Sequence, residues 1–194
     1  MPLSIPSPIQ TSRLILRPFE RGDLPYALAV LSDEQANRFL PWFPIRTLEE
    51  AQAHIQRQCG PPESPSLYYA VCRREDSLPI GYVHLSGDDS HDFGYGLRHE
   101  FWGKGIMTEA CRPIVEVLKN SGLPFLTATY DRDNPRSGRV LEKLGMTYRY
   151  SYREQWQPKN LPVVFRMLQL DLLPGVPTYS RYREQYGAFT EEFK

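Results

Sequence analysis

Residues 99–110 read His-Glu-Phe-Trp-Gly-Lys-Gly-Ile-Met-Thr-Glu-Ala, with Gly103 and Gly105 directly ahead of a stretch of helical apolar spacing. A glycine lets the backbone approach a ligand closely, and the first turn of a helix leaves its amides without partners. That combination can bind a phosphate through main-chain N–H groups alone. The alternative is a tight connection that carries no ligand. A Walker loop would follow Gly-Lys with Ser or Thr for magnesium, and here Gly105 follows Lys104. A dinucleotide-binding turn would place a third glycine at Thr108, so that reading is weaker, although Asp131 at the end of the next strand is consistent with it.

Cys59, Cys72 and Cys111 are far apart and form no CxxC, which argues against a disulfide framework or a zinc site; no metal is expected. Cys72, mid-strand, and Cys111, mid-helix, have no histidine near them in sequence, so none of the three is a convincing acyl-enzyme nucleophile, Cys59 at a loop edge being the least clear case. The 194 residues suit one domain with a sizeable core. Lys plus Arg and Asp plus Glu both number 23, so nucleic acid and anionic membranes are disfavoured as partners. No apolar run approaches a membrane span, and the N-terminus lacks the marks of a signal peptide, so a cytoplasmic location is expected.

The elements that must position the glycine loop follow from patterning. Asp92 to Leu97 predicts a strand with Phe93, Tyr95 and Leu97 on one face, and Ile106 to Lys119 a helix that Pro113 should kink. Upstream, Arg13 to Phe19 predicts a strand, Asp23 an N-cap for a helix over Leu24 to Leu31, and Thr47 a capping box for a helix reaching Gln58. Between these helices, Phe39 to Pro44 is a stiff aromatic loop, either core lining or the wall of a pocket. A loop over Gly60 to Pro65 precedes strands at Leu67 to Cys72 and Ile80 to Leu85, joined by a turn at Asp76 to Pro79. Downstream come a strand at Phe125 to Tyr130, a loop from Asp131 to Ser137, a helix that Gly145 terminates, and strands at Thr147 to Gln155 and Val163 to Leu170. Residues 1–173 form the domain and 174–194 a tail. In that tail Tyr179, Tyr182, Tyr186, Phe189 and Phe193 share one side of an expected helix, facing either the parent domain or a partner subunit.

Trp102-Gly103-Lys104-Gly105-x-x-Thr108-Glu109-Ala110 resembles the acyl-CoA loop of the GNAT superfamily of N-acetyltransferases, in the form written by its ribosomal-protein N-terminal acetyltransferase branch. The general loop, R/Q-x-x-G-x-G/A, is matched at Gly105 and departed from at Trp102 and Met107. Asn134-x-x-Ser137 followed by Glu142-Lys143-Leu144-Gly145-Met146 resembles a second block of that branch, and Thr11 to Arg17 fits its opening. The resemblance implies an α/β fold with a mixed, mostly antiparallel sheet of about seven strands, splayed after the fourth and flanked by about four helices. It implies acetyl-CoA as cosubstrate, with pantetheine in the splay, and an amine acceptor: a protein N-terminus or a small molecule. Monomer and homodimer are both compatible.

The family's usual acid, a tyrosine seven residues after the asparagine, is replaced by Leu141. By resemblance to the ribosomal-protein branch, Ser137 takes its place at the departing thiolate, Asn134 orders pantetheine, and Glu154 is the general base, with Asp92 and Glu100 as rivals. The backbone N–H of Leu97 or its neighbour Arg98 would polarise the acyl carbonyl. Leu141 also leaves open a CoA-binding domain without turnover, and a dinucleotide-dependent oxidoreductase stands as the more distant alternative.

Overall fold

The computed structural model of the chain describes residues 7–61 and 66–192. Two antiparallel sheets form its frame. The first runs in chain order through β1 (Ile9–Gln10), β2 (Leu14–Pro18), β3 (Leu67–Arg73), β4 (Pro79–Leu85) and β5 (Phe93–Leu97). Helices α1 (Leu24–Leu31), α2 (Glu34–Asn37) and α3 (Leu48–Gln58) lie between β2 and β3. After α4 (Ile106–Leu118), the second sheet is built from β6 (Phe125–Asp131), β7 (Thr147–Trp156) and β8 (Leu161–Asp171), ordered β6-β8-β7. Helix α5 (Pro135–Lys143) joins β6 to β7, and α6 (Arg181–Tyr186) follows β8.

The two sheets meet at one parallel bridge, Asp92 with Thr127, beyond which β5 and β6 part. The break thus follows the fifth strand, because the two residues of β1 add an edge that sequence patterning does not reveal. The helix count also exceeds expectation, through the single turn of α2 and the tail helix. Helix α4 runs through Pro113 without interruption. Its apolar face, Ile106, Met107, Ala110, Cys111, Ile114, Val115 and Leu118, is buried against Leu14, Leu16, Val71, Val83, Phe93 and Leu126. Seven buried side chains at helical spacing outweigh the one backbone hydrogen bond that a proline removes.

Two local expectations need correction. Asp23 does not cap α1; its carboxylate accepts from the Arg17 guanidinium (2.6 and 3.0 Å) and the Glu20 amide, closing a 3-10 turn over Arg21–Asp23. A buried carboxylate beside an arginine gains more from that ion pair than from a cap. Cys72 and Cys111 are buried, whereas Cys59 is exposed. Among the described tail residues only six are helical, so Tyr179 precedes the helix and Phe189 pairs as a strand residue with Ser151. Gly187, at φ 72°, ends the helix and turns the chain into that bridge. Phe193 and most of the expected loop at 62–65 lie outside the described residues.

Candidate active site

The glycine loop is built as a phosphate cradle requires. Gly103 and Gly105 stand at φ 75° and 73°, in the left-handed region, and a side chain at Gly103 would meet nothing within 4 Å. The first amide of α4 to find a helical partner is Glu109, donating to the Gly105 carbonyl (3.1 Å). Ile106, Met107 and Thr108 therefore present their amides at the helix's positive end.

Side chains from elsewhere fix this loop in place. The Glu109 carboxylate accepts from Thr11 Oγ1 (2.6 Å), Ser12 Oγ (3.0 Å), the Arg13 amide (3.0 Å) and Arg13 Nε (2.7 Å). Arg13 donates in addition to the Lys104 carbonyl (3.0 Å), so one arginine holds both the helix's first turn and the loop ahead of it. Burial opposes the charge on Glu109, but the hydrogen bonds from Thr11, Arg13 and Ser12 outweigh it and hold the carboxyl down to about 2. On the other side, Trp102 Nε1 donates to the Leu97 carbonyl (2.8 Å), and Asp33 accepts from the amide and the ring of His99 (2.7 and 3.0 Å).

A cavity of about 770 Å³ runs from this loop through the gap between β5 and β6. Gly103, Gly105, Ile106, Met107, Thr108, Asn134 and Ser137 line it, as do Leu97 and Glu154, so the structure gathers most of the residues singled out from sequence. Two fall outside the lining. Lys104 is exposed, its ammonium 5.4 Å from the centre of the Phe101 ring. The Arg98 amide is taken by the Ile80 carbonyl (3.0 Å), which leaves Leu97 as the neighbour facing the gap. The rival base Glu100 is paired with Arg98 at the surface, whereas Asp92 lies on the cavity wall at the apex of the splay.

Asn134 caps α5, its Oδ1 accepting from the Ser137 amide (3.4 Å). Pro135 at the first helical position fits the same start. Close packing between α5 and β6 depends on Gly138, where a side chain would lie 2.5 Å from the Tyr130 ring. Leu141 is in the core, 1% exposed, and gives the cavity wall an apolar side chain where the family's usual acid would stand. The gap also brings together a pair of hydroxyls. Tyr95 reaches from β5 across the gap, donates to the Ser137 carbonyl (2.8 Å) and sits 3.0 Å from Ser137 Oγ. Burial pushes the Tyr95 hydroxyl well above its ordinary range, so it holds its proton and orients Ser137.

The far end of the cavity has a different character. Glu154 on β7 is raised above its ordinary value by burial, opposed by a hydrogen bond from the Tyr186 hydroxyl on α6. Tyr152 stacks with Tyr182 and Tyr186 at 5.3 and 5.4 Å, and all three line the cavity. Phe39, Leu40, Pro41 and Trp42 form the opposite wall. The sheet contributes Gly94, where a side chain would meet nothing within 4 Å and would project into free space. Sequence reading missed Tyr95, Gly94 and the tail tyrosines as cavity residues. The tyrosine spacing was visible, but not that it faces the same space as Glu154.

A family model described as acetyltransferase (GNAT) domain matches residues 13–147. The uncharacterized N-acetyltransferase YnaD of Bacillus subtilis (strain 168) is 29% identical over 142 residues, spanning 71% of this chain and 81% of that protein. An acetyltransferase (GNAT family) from Bacillus anthracis superposes with a TM-score of 0.72 at 20% identity, over 84% of this chain and 98% of the other. A ribosomal-protein-S5-alanine acetyltransferase from Vibrio fischeri gives 0.69 at 20% identity, over 89% and 100%. Ribosomal-protein acetyltransferases thus stand among its structural neighbours. Because the family match takes in both the glycine loop and the Asn134 to Ser137 turn that face each other across the gap, the chain belongs to the GNAT acetyltransferase family and is an acyl-CoA-dependent N-acetyltransferase.

Proposed function

We propose that the chain moves an acetyl group from acetyl-CoA to a primary amine by direct attack in a ternary complex. The observation that carries this is one continuous cavity joining unpartnered helix amides at one end to a carboxylate with a raised pKa at the other. Acetyl-CoA supplies the activated acyl group and a diphosphate. The amides of Gly105 to Thr108 take the diphosphate, since open glycines at the mouth let it reach the positive end of α4. Pantetheine follows the gap beside Leu97 and Asn134.

Glu154 accepts a proton from the acceptor's ammonium, directly or through a water, leaving a neutral nitrogen. That nitrogen forms the C–N bond as the C–S bond breaks, the electron pair leaves on sulfur, and the proton the nitrogen then sheds neutralises the departing thiolate. Ser137, oriented by Tyr95, places a hydroxyl dipole against that developing charge. No cysteine is needed as an intermediate carrier: Cys111 is buried, with its thiol raised by burial, and neither Cys72 nor Cys111 lines the cavity.

Thiol release from acetyl-CoA with a panel of amines measures this directly. Glu154→Gln should lower turnover by at least about tenfold, since a general base contributes about 10²–10⁴. Wild-type turnover of this variant at neutral pH would remove Glu154 from the mechanism.

A further inference from the structure

Side chains leave strand β5 alternately to the two faces of its sheet. Phe93, Tyr95 and Leu97 share one face, where Phe93 and Leu97 join the core beneath α4 and the Tyr95 hydroxyl meets Ser137. Gly94 and Gly96 belong to the other face. There β4 sets His84 opposite Gly94 and Tyr82 opposite Gly96, and Tyr82 packs with Val30 and Leu31 of α1 and Ala51 of α3. Met107 and Ser137 line the cavity from the first face, and Tyr82, His84 and His54 line it from the second. The cavity therefore passes through the gap at the free edge of β5, from the side of the glycine loop to the side of the aromatic loop.

The two glycines differ in what lies over them. At Gly96 a side chain would stand 2.4 Å from the Tyr82 ring, so glycine is needed there for the ring to lie on the strand. At Gly94 a side chain would meet nothing within 4 Å, and the residue lines the cavity. Its neighbour Tyr95 is the residue that orients Ser137. With the thioester sulfur at Ser137 on the first face, a nucleophile on the second face has to cross the gap past the edge of β5. Along that edge Gly94 is the uncovered stretch, because Tyr82 roofs Gly96 and the bridge to Thr127 closes the gap at Asp92. A residue without a side chain at this point leaves the nitrogen's line of attack open.

We propose that Gly94 is a specificity-determining residue: the open position above it is where the acceptor's carbon next to the nitrogen passes the sheet, and the missing side chain sets how much bulk that carbon can carry. The limit acts on the first atoms beyond the nitrogen, whatever the rest of the acceptor. The assignment rests on the acetyltransferase reading of the same cavity and adds the point at which the two substrates meet.

CoA alkylated on sulfur with N-methylacetamide or with N-tert-butylacetamide carries that carbon on the donor itself, unsubstituted in one compound and fully branched in the other. Calorimetry on the full wild-type chain should give Kd values for the two within about threefold of each other. Gly94→Ala should weaken the tert-butyl compound by about tenfold or more relative to the methyl one, since one methyl group in a filled pocket is worth about 10–200-fold. The Kd of acetyl-CoA itself should stay within about threefold of wild type. The substitution suits the fold, because a Cβ at position 94 has room, the backbone there is not left-handed, and alanine restricts the unfolded chain; Tm should be unchanged or raised. A ratio that Gly94→Ala does not change overturns the assignment, as does a wild-type chain that already rejects the tert-butyl compound by about tenfold. A loss shared equally by acetyl-CoA also overturns it, by putting Gly94 against the donor. A chain that binds neither acetyl-CoA nor either alkylated CoA refutes the acetyltransferase reading as well.

Discussion

Glu154 and Tyr186 are thirty-two positions apart in the chain yet act as one unit, and the sign of their coupling can be measured. Burial raises the carboxyl, so it becomes a competent base only above the ordinary carboxylate range, and turnover should fall on the acid side at a correspondingly elevated pH. The Tyr186 hydroxyl donates to the charged form and lowers that pKa. Tyr186→Phe should therefore move the acid limb of the pH–kcat profile upward while leaving the alkaline plateau within about threefold of wild type. An unmoved limb would mean that the tyrosine only fills space. Glu154 could be singled out in sequence through family resemblance. Tyr186 could not, because no local pattern ties a tail residue to a carboxylate two strands earlier.

Among the elements, the glycine loop owes its shape to the segment that precedes β2. Glu109 gathers Thr11, Ser12 and Arg13, about a hundred residues away, against the first turn of α4. Its carboxyl, at about 2 in the folded chain against about 4.3 when free, contributes stability that is fully present above the unfolded value. That contribution is lost as pH falls toward 2. Glu109→Gln should cost about 1–3 kcal/mol at pH 7, progressively less in acid, and should weaken acetyl-CoA binding by about tenfold or more. Chemical denaturation at pH 7 and pH 3, with acetyl-CoA titration, checks both. The motif's threonine and glycines read in sequence as candidate ligand contacts, whereas its glutamate proves to be the fastening. Sequence shows that a residue recurs in a pattern but not whether it touches the ligand or the scaffold.

For the whole molecule, the tail packs against the second sheet. Tyr179, Tyr182 and Tyr186 pack on the cluster of Tyr150, Tyr152, Trp156, Val163, Phe165 and Met167, and Arg166 binds Glu191. A chain ending at Leu173 should lose about 2–4 kcal/mol, seen as a fall in Tm of roughly 5–15 °C, from uncovering that face. It should also lose most of its turnover while sedimenting as the full chain does. A changed oligomeric state would return the tail to the role of a subunit interface. The sequence by itself determined the order of strands and helices, the glycine turn and the family, because periodicity, capping and motif spacing are local and survive without neighbours. It also placed Asn134 in the loop ahead of α5 and Glu154 on its strand, whereas Ser137, read as the end of that loop, lies within the helix. Only the tertiary structure decided that β5 and β6 part at Asp92, that Tyr95 reaches Ser137, and that the tail walls the Glu154 end of the cavity. Each of these depends on how two sheets lie against each other, a relation set by long-range packing that no window of sequence contains.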